Sequence, residues 1–231
     1  MTRFPTWLIR GNREDYLINH HYYKNDGWNY CSSSGSLLYT YENIKAEDIE
    51  FFSVMPITMN ISIEGCTPFT VCHGSPQSTR EQLLPNTENT IKYLSDLDTD
   101  YLYCAHTHKP FTFQLQRKRL VNCASVGAPT NDQINAQFVS LEYIGGTLNN
   151  QLISVPYDVQ KIISAFEDSG IYNKGFFWSK AMVKLLQTGI NYPFLLIEKA
   201  VTFTQVVSNV VNVNAISEKY WEQAAKELKI I

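Results

Sequence analysis

Residues 100–110 read DYLYCAHTHKP, and this stretch joins a short apolar run to two histidines. The run over residues 100–104 predicts a buried strand, and His106 and His108 follow it almost directly. In an extended segment residues two apart point the same way, so both imidazoles are expected to face one pocket. Ligand groups gather at the carboxyl ends of strands in α/β sheets, and neutral imidazole is the commonest metal ligand.

A third histidine follows another predicted strand. His73 comes directly after residues 68–72 (PFTVC), in the segment VCHGSP. A single histidine in this position is more often structural, but three of them in two strand-end contexts favour a metal site. His20 and His21 are adjacent in a polar region, so their side chains point apart, and we expect both to be surface residues.

The composition is that of an ordinary globular protein. The chain has 231 residues, of which 44% are hydrophobic and 18% charged, and its formal net charge is −3. This balance does not favour nucleic acid or an anionic membrane as partner. The most apolar late stretch, residues 194–213, contains Glu198 and Lys199, which makes it a poor membrane span.

The cysteines favour a reducing compartment. The chain has five of them, an odd number without CxxC spacing, and its first residues show no signal-peptide pattern. We therefore expect reduced thiols and a cytoplasmic protein. Cys72, Cys104 and Cys123 lie in strand-like runs, where buried and inert cysteine is usual.

Short strands separated by turns dominate the first part of the chain, and helices dominate its end. We therefore predict a core over residues 1–157 and a helical C-terminal extension over residues 158–231. The predicted strands cover residues 6–10, 59–63, 68–72, 100–104, 111–115, 120–123, 137–143 and 152–156, and residues 22–36 form a polar loop. The predicted helices cover residues 12–18, 46–52, 87–94 (capped by Asn86), 158–167 (capped by Asp158), 173–187 and 217–229.

Two further segments complete a pattern. GNRE (residues 11–14) follows the run TWLIR, and NCASVGAP (residues 122–129) follows the run RLV. With CHGSP and AHTHKP between them, the chain carries four strand-end blocks in the order typical of calcineurin-like metallophosphoesterases. It resembles that family over roughly residues 6–157. The resemblance implies an α/β fold, a calcineurin-like phosphoesterase β-sandwich flanked by helices, with a helical C-terminal tail.

The resemblance also implies roles for individual residues. Asn12, His73 and His106 match the family's ligands of the second metal, and His108 matches a ligand of the first. Asn12, Arg13 and His73 are the expected catalytic residues, with no organic cofactor. The expected ions are divalent, Mn²⁺ first, with Fe, Zn or Ni as alternatives, and an intact family member holds two. Asn122, Ser125 and Gly127 match the loop that shapes the pocket.

The departures from the family pattern concern the carboxylates. Family members begin with strands ending in DxH and GD, which supply the first metal's Asp and His and the bridging Asp; nothing of that kind precedes Gly11. We therefore expect a truncated version of the fold that lacks its first strands. Arg13 replaces a histidine that often follows the Asn. It is expected either to grip a phosphate oxygen or to be an exposed arginine at a helix start.

Two functions from different classes follow. The first is a metal-dependent phosphoesterase, hydrolysing phosphomonoesters, phosphodiesters or nucleotide polyphosphates with a hydroxide held between two metals, and impaired here by the missing carboxylates. The second is an inactive binding or regulatory protein that keeps the fold. A weaker third is a mononuclear zinc protein using Cys104 with His106 and His108. The expected partners are a phosphate ester or nucleotide and either a complementing N-terminal fragment or further copies of the chain.

Overall fold

The computed structural model describes residues 5–205 and 212–231. Within these ranges helices and strands alternate in the first part and helices follow at the end. The strands are β1 (Thr58–Ile61), β2 (Phe69–Cys72), β3 (Tyr101–Cys104), β4 (Phe111–Leu115), β5 (Lys118–Asn122), β6 (Ala136–Ile144) and β7 (Thr147–Val155). The helices are α1 (Asn12–Tyr23), α2 (Gly35–Glu42), α3 (Ala46–Val54), α4 (Glu88–Asp96), α5 (Val159–Asp168), α6 (Ile171–Lys174), α7 (Phe176–Thr188), α8 (Tyr192–Gln205) and α9 (Glu218–Glu227), with a 3₁₀ turn over Val213–Ala215.

Five strands form the central sheet, in the order β1-β2-β3-β5-β4. The three central strands β2, β3 and β5 are parallel, whereas β1 and β4 pair antiparallel at the two edges. Val71 pairs with Tyr103, and Tyr103 pairs with Val121, so the three parallel strands end at the same level. Their carboxyl ends therefore lie side by side. His73 follows β2, the segment leading to His106 follows β3, and the segment after Asn122 follows β5.

The sheet is buried on both faces because its strands alternate two sets of apolar residues. Leu102 belongs to one cluster and Tyr103 to the other. On the second face the β6–β7 hairpin contributes Leu148. This hairpin turns at two glycines in the left-handed region, with φ of 57° and 85°, as a tight two-residue turn requires. A β layer thus covers the central sheet.

Two of the three strand cysteines are buried, as the sequence predicted. Cys72 and Cys104 lie in the first-face cluster and Cys123 is half-buried. Burial raises the pKa of the Cys72 thiol to about 12 and that of Cys123 to about 11, and it raises the pKa of Cys104 as well. Thiols that stay protonated at neutral pH are poor nucleophiles and poor metal ligands.

The chain forms two compact units. The first comprises the residues up to 19, residues 46–129 and residues 136–155; the second comprises residues 20–45, 130–135 and those from 156 onward. The second boundary lies close to the predicted division at 157/158. The sequence placed residues 20–45 in the first domain, but they group with the C-terminal helices. Ser32 explains this, because its amide and hydroxyl both donate to the Glu218 carboxylate at 2.8 Å.

The second unit has a helical core of its own. Small residues on α7, α8 and α9 let the helices approach closely around the buried indole of Trp221. The predicted N-cap of α5 is confirmed, since the Asp158 side chain accepts the amide of Lys161 at 3.0 Å. The fully buried small residues are Ala181, Ala200, Ala224 and Ala225.

Three local predictions were wrong. Residues 6–10 form no strand; the Arg10 amide donates to the Pro56 carbonyl at 3.0 Å, and the Arg10 guanidinium bonds Ser53 at the end of α3. Helix α2 begins inside the predicted polar loop, at Gly35. The N-cap of α4 is Thr87, whose hydroxyl accepts the amide of Thr90 at 3.4 Å, and not Asn86.

Across residues 5–205 and 212–231, no helix is both long enough and apolar enough to cross a bilayer.

Candidate metal site

The start of α1 brings an amide to a histidine. Asn12 is the first residue of α1, and its Oδ1 lies 2.9 Å from Nε2 of His73. Gly11 makes this approach possible, because a Cβ there would lie 3.0 Å from two atoms of the His73 ring. The Glu14 carboxylate accepts the Gly11 amide at 2.7 Å and so caps the helix start. Two predicted ligands therefore meet, although one follows β2 and the other opens α1.

The third predicted ligand lies beside them. The rings of His73 and His106 have centroids 5.3 Å apart and planes inclined by 65°. The backbone sets this distance, because the Ala105 amide donates to the His73 carbonyl at 2.9 Å and continues the β2–β3 ladder by one residue. The structure therefore brings Asn12, His73 and His106 together.

The segment that carries His106 and His108 is not extended, contrary to the sequence argument. Both histidines have left-handed backbones, with φ of 55° and 59°. Asn122 supports this loop, because its Nδ2 donates to the Ala105 carbonyl at 2.5 Å and to the Thr107 hydroxyl at 3.0 Å. Non-glycine residues in this region carry backbone strain that the surroundings must hold in place, which is common at functional sites.

His108 is oriented by the loop that follows β5. Its Nδ1 lies 2.7 Å from the Ala128 carbonyl oxygen, so Nδ1 carries the proton and Nε2 keeps its lone pair. Ala128 is held in turn by Ser125, whose Oγ accepts the Ala128 amide at 3.0 Å. Gly127 is exposed, and a Cβ there would meet nothing within 4 Å. Of the three predicted loop residues, Asn122 and Ser125 thus support the histidines through neighbouring residues.

The three histidines are neutral at physiological pH. Burial is the largest cause that lowers the pKa of His73, to about 4, and the charge of His106 is the second. The nearby Glu14 carboxylate acts in the opposite direction. Burial is also the main cause that lowers the pKa of His106 and of His108. An unprotonated imidazole is the form that binds a metal ion. The cluster therefore does not need to lose protons from its rings to bind one at pH 7.

Among the described residues, no carboxylate completes the histidine cluster as a metal ligand. Glu14 is engaged with Gly11, and Asp15 lies 2.8 Å from Arg10 Nε, an ion-pair distance, although the N–H is not directed at the oxygen. In the described part of the chain, no three His, Cys, Asp or Glu side chains are arranged to hold a metal ion.

The residues present therefore fit one metal ion at most, with an amide oxygen and neutral imidazoles as donors. Two adjacent divalent ions repel each other, and neutral ligands do not offset their charge. The zinc alternative through Cys104 is wrong, because that thiol lies in the apolar core with its pKa raised by burial.

Arg13 lies near the same cluster. Its side chain is exposed, and its positive charge contributes to lowering the pKa of His108.

The contacts of residues 75–81 with α1 were not predicted from the sequence. Thr79 donates a hydrogen bond to Asp15, and the guanidinium of Arg80 lies 4.4 Å from the ring centroid of Tyr16. The only signal in the sequence is that these residues directly follow the CHG segment.

Comparison with solved structures identifies the fold. A metallophosphoesterase from Sphaerobacter thermophilus superposes with a TM-score of 0.60 at 17% identity, covering 79% of this chain and 76% of that one. A hypothetical protein from Pyrococcus horikoshii OT3 superposes with a TM-score of 0.61 at 19% identity, covering 79% of this chain and 73% of that one. No protein-family model matches the chain, and no curated protein sequence matches it. At these identities the similarity establishes the fold alone, and it confirms the predicted calcineurin-like phosphoesterase architecture.

Proposed function

We propose that this chain, which has the calcineurin-like phosphoesterase fold, binds one divalent metal ion through Asn12, His73 and His106 and serves in the hydrolysis of phosphate esters. The observation that carries the proposal is the 2.9 Å separation between Asn12 Oδ1 and His73 Nε2 at the carboxyl ends of the parallel strands, with the His106 ring beside them. Two donor atoms this close can share one ion, since metal–ligand distances of about 2.0–2.2 Å place ligand atoms roughly 3 Å apart.

The ion would supply Lewis acidity toward a phosphoryl oxygen. Manganese is our first choice, with iron, zinc and nickel as alternatives, and a phosphodiester or nucleotide is the proposed substrate. His108 keeps Nε2 free because Nδ1 is bonded to the Ala128 carbonyl. Arg13 would hold a phosphate oxygen through its planar guanidinium, because its positive charge lies close enough to the cluster to act, after burial, in lowering the pKa of His108.

Catalysis by a metal pair needs anionic ligands that these residues do not provide. Asn12, His73, His106 and His108 are all neutral donors, so the charge of a second ion has nothing to offset it. We propose that the carboxylates come from a further segment or from a second copy, and that turnover by these residues alone is low. The five free thiols are in keeping with a cytoplasmic location, which is part of the proposal.

The second candidate is a binding or regulatory protein that retains the fold without catalysis. The engagement of the nearby carboxylates favours it, because Glu14 caps α1 and Asp15 accepts from Thr79. In this case a metal ion or a phosphate group would be held at the cluster without being turned over.

One experiment separates the two candidates. Hydrolysis of bis(p-nitrophenyl) phosphate is measured with Mn²⁺ for the chain alone and with an added segment that carries the DxH and GD carboxylates. Turnover that rises by several orders of magnitude with the segment, and that His108→Ala abolishes, supports the phosphoesterase. Metal binding by calorimetry with equal, background turnover in both samples supports the binding protein instead.

A further inference from the structure

Strand β6 has an edge that faces away from its partner β7. The two strands form a sheet of their own, and Ile144 pairs with Thr147 across the two-residue turn. The residues that flank such a turn bond each other, and in an antiparallel pair hydrogen-bonded and non-hydrogen-bonded residues alternate. The backbone amides and carbonyls of Val139, Leu141 and Tyr143 therefore point away from β7.

This edge of β6 has no strand beside it in the part of the chain that the structure describes. Gln137 belongs to the same alternating set, and its amide donates to the Ser125 carbonyl at 3.0 Å, outside the hairpin. Further along the strand, no other described backbone group bonds Val139, Leu141 or Tyr143. A row of unpaired amides and carbonyls on an extended segment is a template for one more strand.

An apolar groove lies beside the same edge. Leu141 and Tyr143 are 36% and 38% exposed, and with the turn after β1 they line a groove of about 330 Å³. The buried side chains of Phe69 and Leu148 complete its apolar lining. Directly opposite residues of neighbouring strands share a face of the sheet. A strand added here would therefore direct two alternate side chains, those opposite Leu141 and Tyr143, toward the groove.

Glu142 determines which charge the added strand can carry. It lies between the two groove residues, so its exposed side chain is on the other face of the sheet. A residue directly opposite Glu142 is attracted if it is basic and repelled if it is acidic. An antiparallel second copy of β6 that used both groove residues would place two Glu142 carboxylates opposite each other. A lysine or an arginine of a different segment fits this position instead.

We propose that the β6 edge and its groove bind an extended segment of another protein with the pattern apolar–basic–apolar. The backbone of the segment bonds Leu141 and Tyr143, its two apolar side chains enter the groove, and its basic side chain pairs with Glu142. Backbone bonds supply affinity in this kind of recognition, and the pockets for alternate side chains supply specificity. The inference goes beyond the proposed function and does not rest on it, because none of these residues is a metal ligand.

The test uses three fluorescein-labelled synthetic peptides, titrated with the full chain and followed by fluorescence anisotropy. SGTIKVTGS carries the apolar–basic–apolar pattern, SGTIEVTGS reverses its charge, and SGTSKSTGS lacks the apolar side chains. We expect SGTIKVTGS to bind the wild type about 3- to 10-fold more tightly than SGTIEVTGS, the difference between an opposite-charge and a like-charge cross-strand pair. We expect SGTSKSTGS not to bind.

A charge reversal on the protein side tests the same pair. In Glu142→Lys the order of affinities should invert, so that SGTIEVTGS binds more tightly than SGTIKVTGS. Glu50→Lys is the matched control, because Glu50 is also exposed, lies on α3 and changes the net charge by the same amount. The order in this control should remain that of the wild type.

Hydrogen exchange measured by NMR distinguishes an added strand from occupation of the groove alone. In the free chain the amide of Glu142, which is bonded within the hairpin, should exchange more slowly than those of Leu141 and Tyr143. Saturation with SGTIKVTGS should slow the exchange of Leu141 and Tyr143 by at least about 10-fold, because their amides become bonded. The rate at Glu142 should change little.

Each other result overturns the inference. Equal affinities for the two charged peptides, an order that does not invert in Glu142→Lys, or binding of SGTSKSTGS as tight as that of SGTIKVTGS contradicts the assigned pattern. Binding that leaves the Leu141 and Tyr143 amides in fast exchange contradicts an added strand. Protection of these amides in the free chain that increases with protein concentration would assign the edge to a second copy. Failure of metal binding or of phosphoester hydrolysis contradicts the proposed function alone.

Discussion

Oδ1 of Asn12 and Nε2 of His73 lie 2.9 Å apart although 61 residues separate them in the chain. An amide oxygen only accepts, so this contact is a hydrogen bond when Nε2 carries the imidazole proton. A metal ion bound by both atoms needs the lone pair of Nε2. Metal binding therefore requires the His73 proton to move to Nδ1, and the contact that assembles the two ligands in the metal-free protein is replaced by the ion.

The first prediction concerns the ligands. Asn12→Ala and His106→Ala should each lower the affinity for Zn²⁺ or Mn²⁺ by more than about 100-fold, because loss of a direct ligand exceeds the ~10- to 100-fold effect of losing an outer hydrogen bond. Isothermal titration calorimetry measures this. His21→Ala is the control, since His21 contacts Tyr41 and lies in the second unit. Equal binding heats in wild type and His106→Ala would contradict the assigned site.

The second prediction concerns pH. Because the pKa of His73 falls from 6.5 to about 4 on folding, the unfolded chain binds the proton more readily between these values. The free energy of unfolding should therefore be undiminished above about pH 6.5 and should decrease as the pH falls toward 4. His106 and His108, whose pKa values are also lowered, act in the same direction.

Urea denaturation of the metal-free protein at several pH values measures this dependence. The slope between pH 6.5 and 4 should be smaller in His73→Asn, which keeps a neutral polar side chain. An unchanged slope in that variant would mean that His73 is not buried in its neutral form.

The third prediction concerns Gly74. Gly74→Ala should lower the free energy of unfolding by about 1–3 kcal/mol, because the new Cβ overlaps two backbone oxygens that cannot rotate away. Gly127→Ala is the matched control: that glycine lies in the loop after β5 and a Cβ would meet nothing within 4 Å. Chemical denaturation of both variants gives the difference. Equal stability of the two would show that the backbone of residues 75–81 shifts at little cost in free energy.

The fourth prediction concerns the second unit. Ser32→Ala should cost about 1–3 kcal/mol, because it removes one hydrogen bond from the Glu218 carboxylate and leaves the Phe177 amide without its acceptor. In the described part of the chain, the Ser33 hydroxyl bonds only the weakly bonding sulfur of Cys31, so Ser33→Ala should change stability by less than about 0.5 kcal/mol. Similar midpoints for both variants in thermal melts would contradict this difference.

The fifth prediction concerns self-association. Trp7 and Leu8 are 46% and 50% exposed in a segment that joins no sheet. Exposed apolar side chains of this kind favour association with other chains. Sedimentation velocity should therefore show oligomers in the wild type and a shift toward monomer in Trp7→Ser/Leu8→Ser. A monodisperse wild-type monomer would rule out association through this segment.

Much of the fold follows from local sequence patterns. The run DYLYC predicts β3 to within a residue, since an apolar run of strand length before a turn has few alternatives. Residues 6–10 show the limit of this reasoning. Their pattern is as good as that of β3, but a strand also needs a neighbour in register, and the Arg10 side chain instead bonds the end of α3. Pairing partners are a tertiary property that a single segment does not encode.

The candidate site was likewise predicted only in part. The resemblance to the metallophosphoesterase blocks selected Asn12, His73 and His106, whose side chains lie close together in the structure. Parallel strand ends account for His73 and His106 only, because no strand precedes Asn12 among the described residues. The orientation of His106 and His108 was predicted from an extended backbone and is in fact set by left-handed residues. The support from Thr79 and Arg80 was not predictable, because it depends on contacts with α1 some 64 residues earlier in the chain.

The bond between Ser32 and Glu218 joins positions 186 residues apart. During synthesis at ~5–20 residues per second, the partner of Ser32 leaves the ribosome roughly 10 to 40 s after it does. Until then the segment 20–45 cannot complete its packing, whereas the parallel strands around His73 and His106 are already out of the exit tunnel. The second unit should therefore be the last to fold. Its exposure to chaperones and proteases should be greatest before the Ser32–Glu218 bond forms.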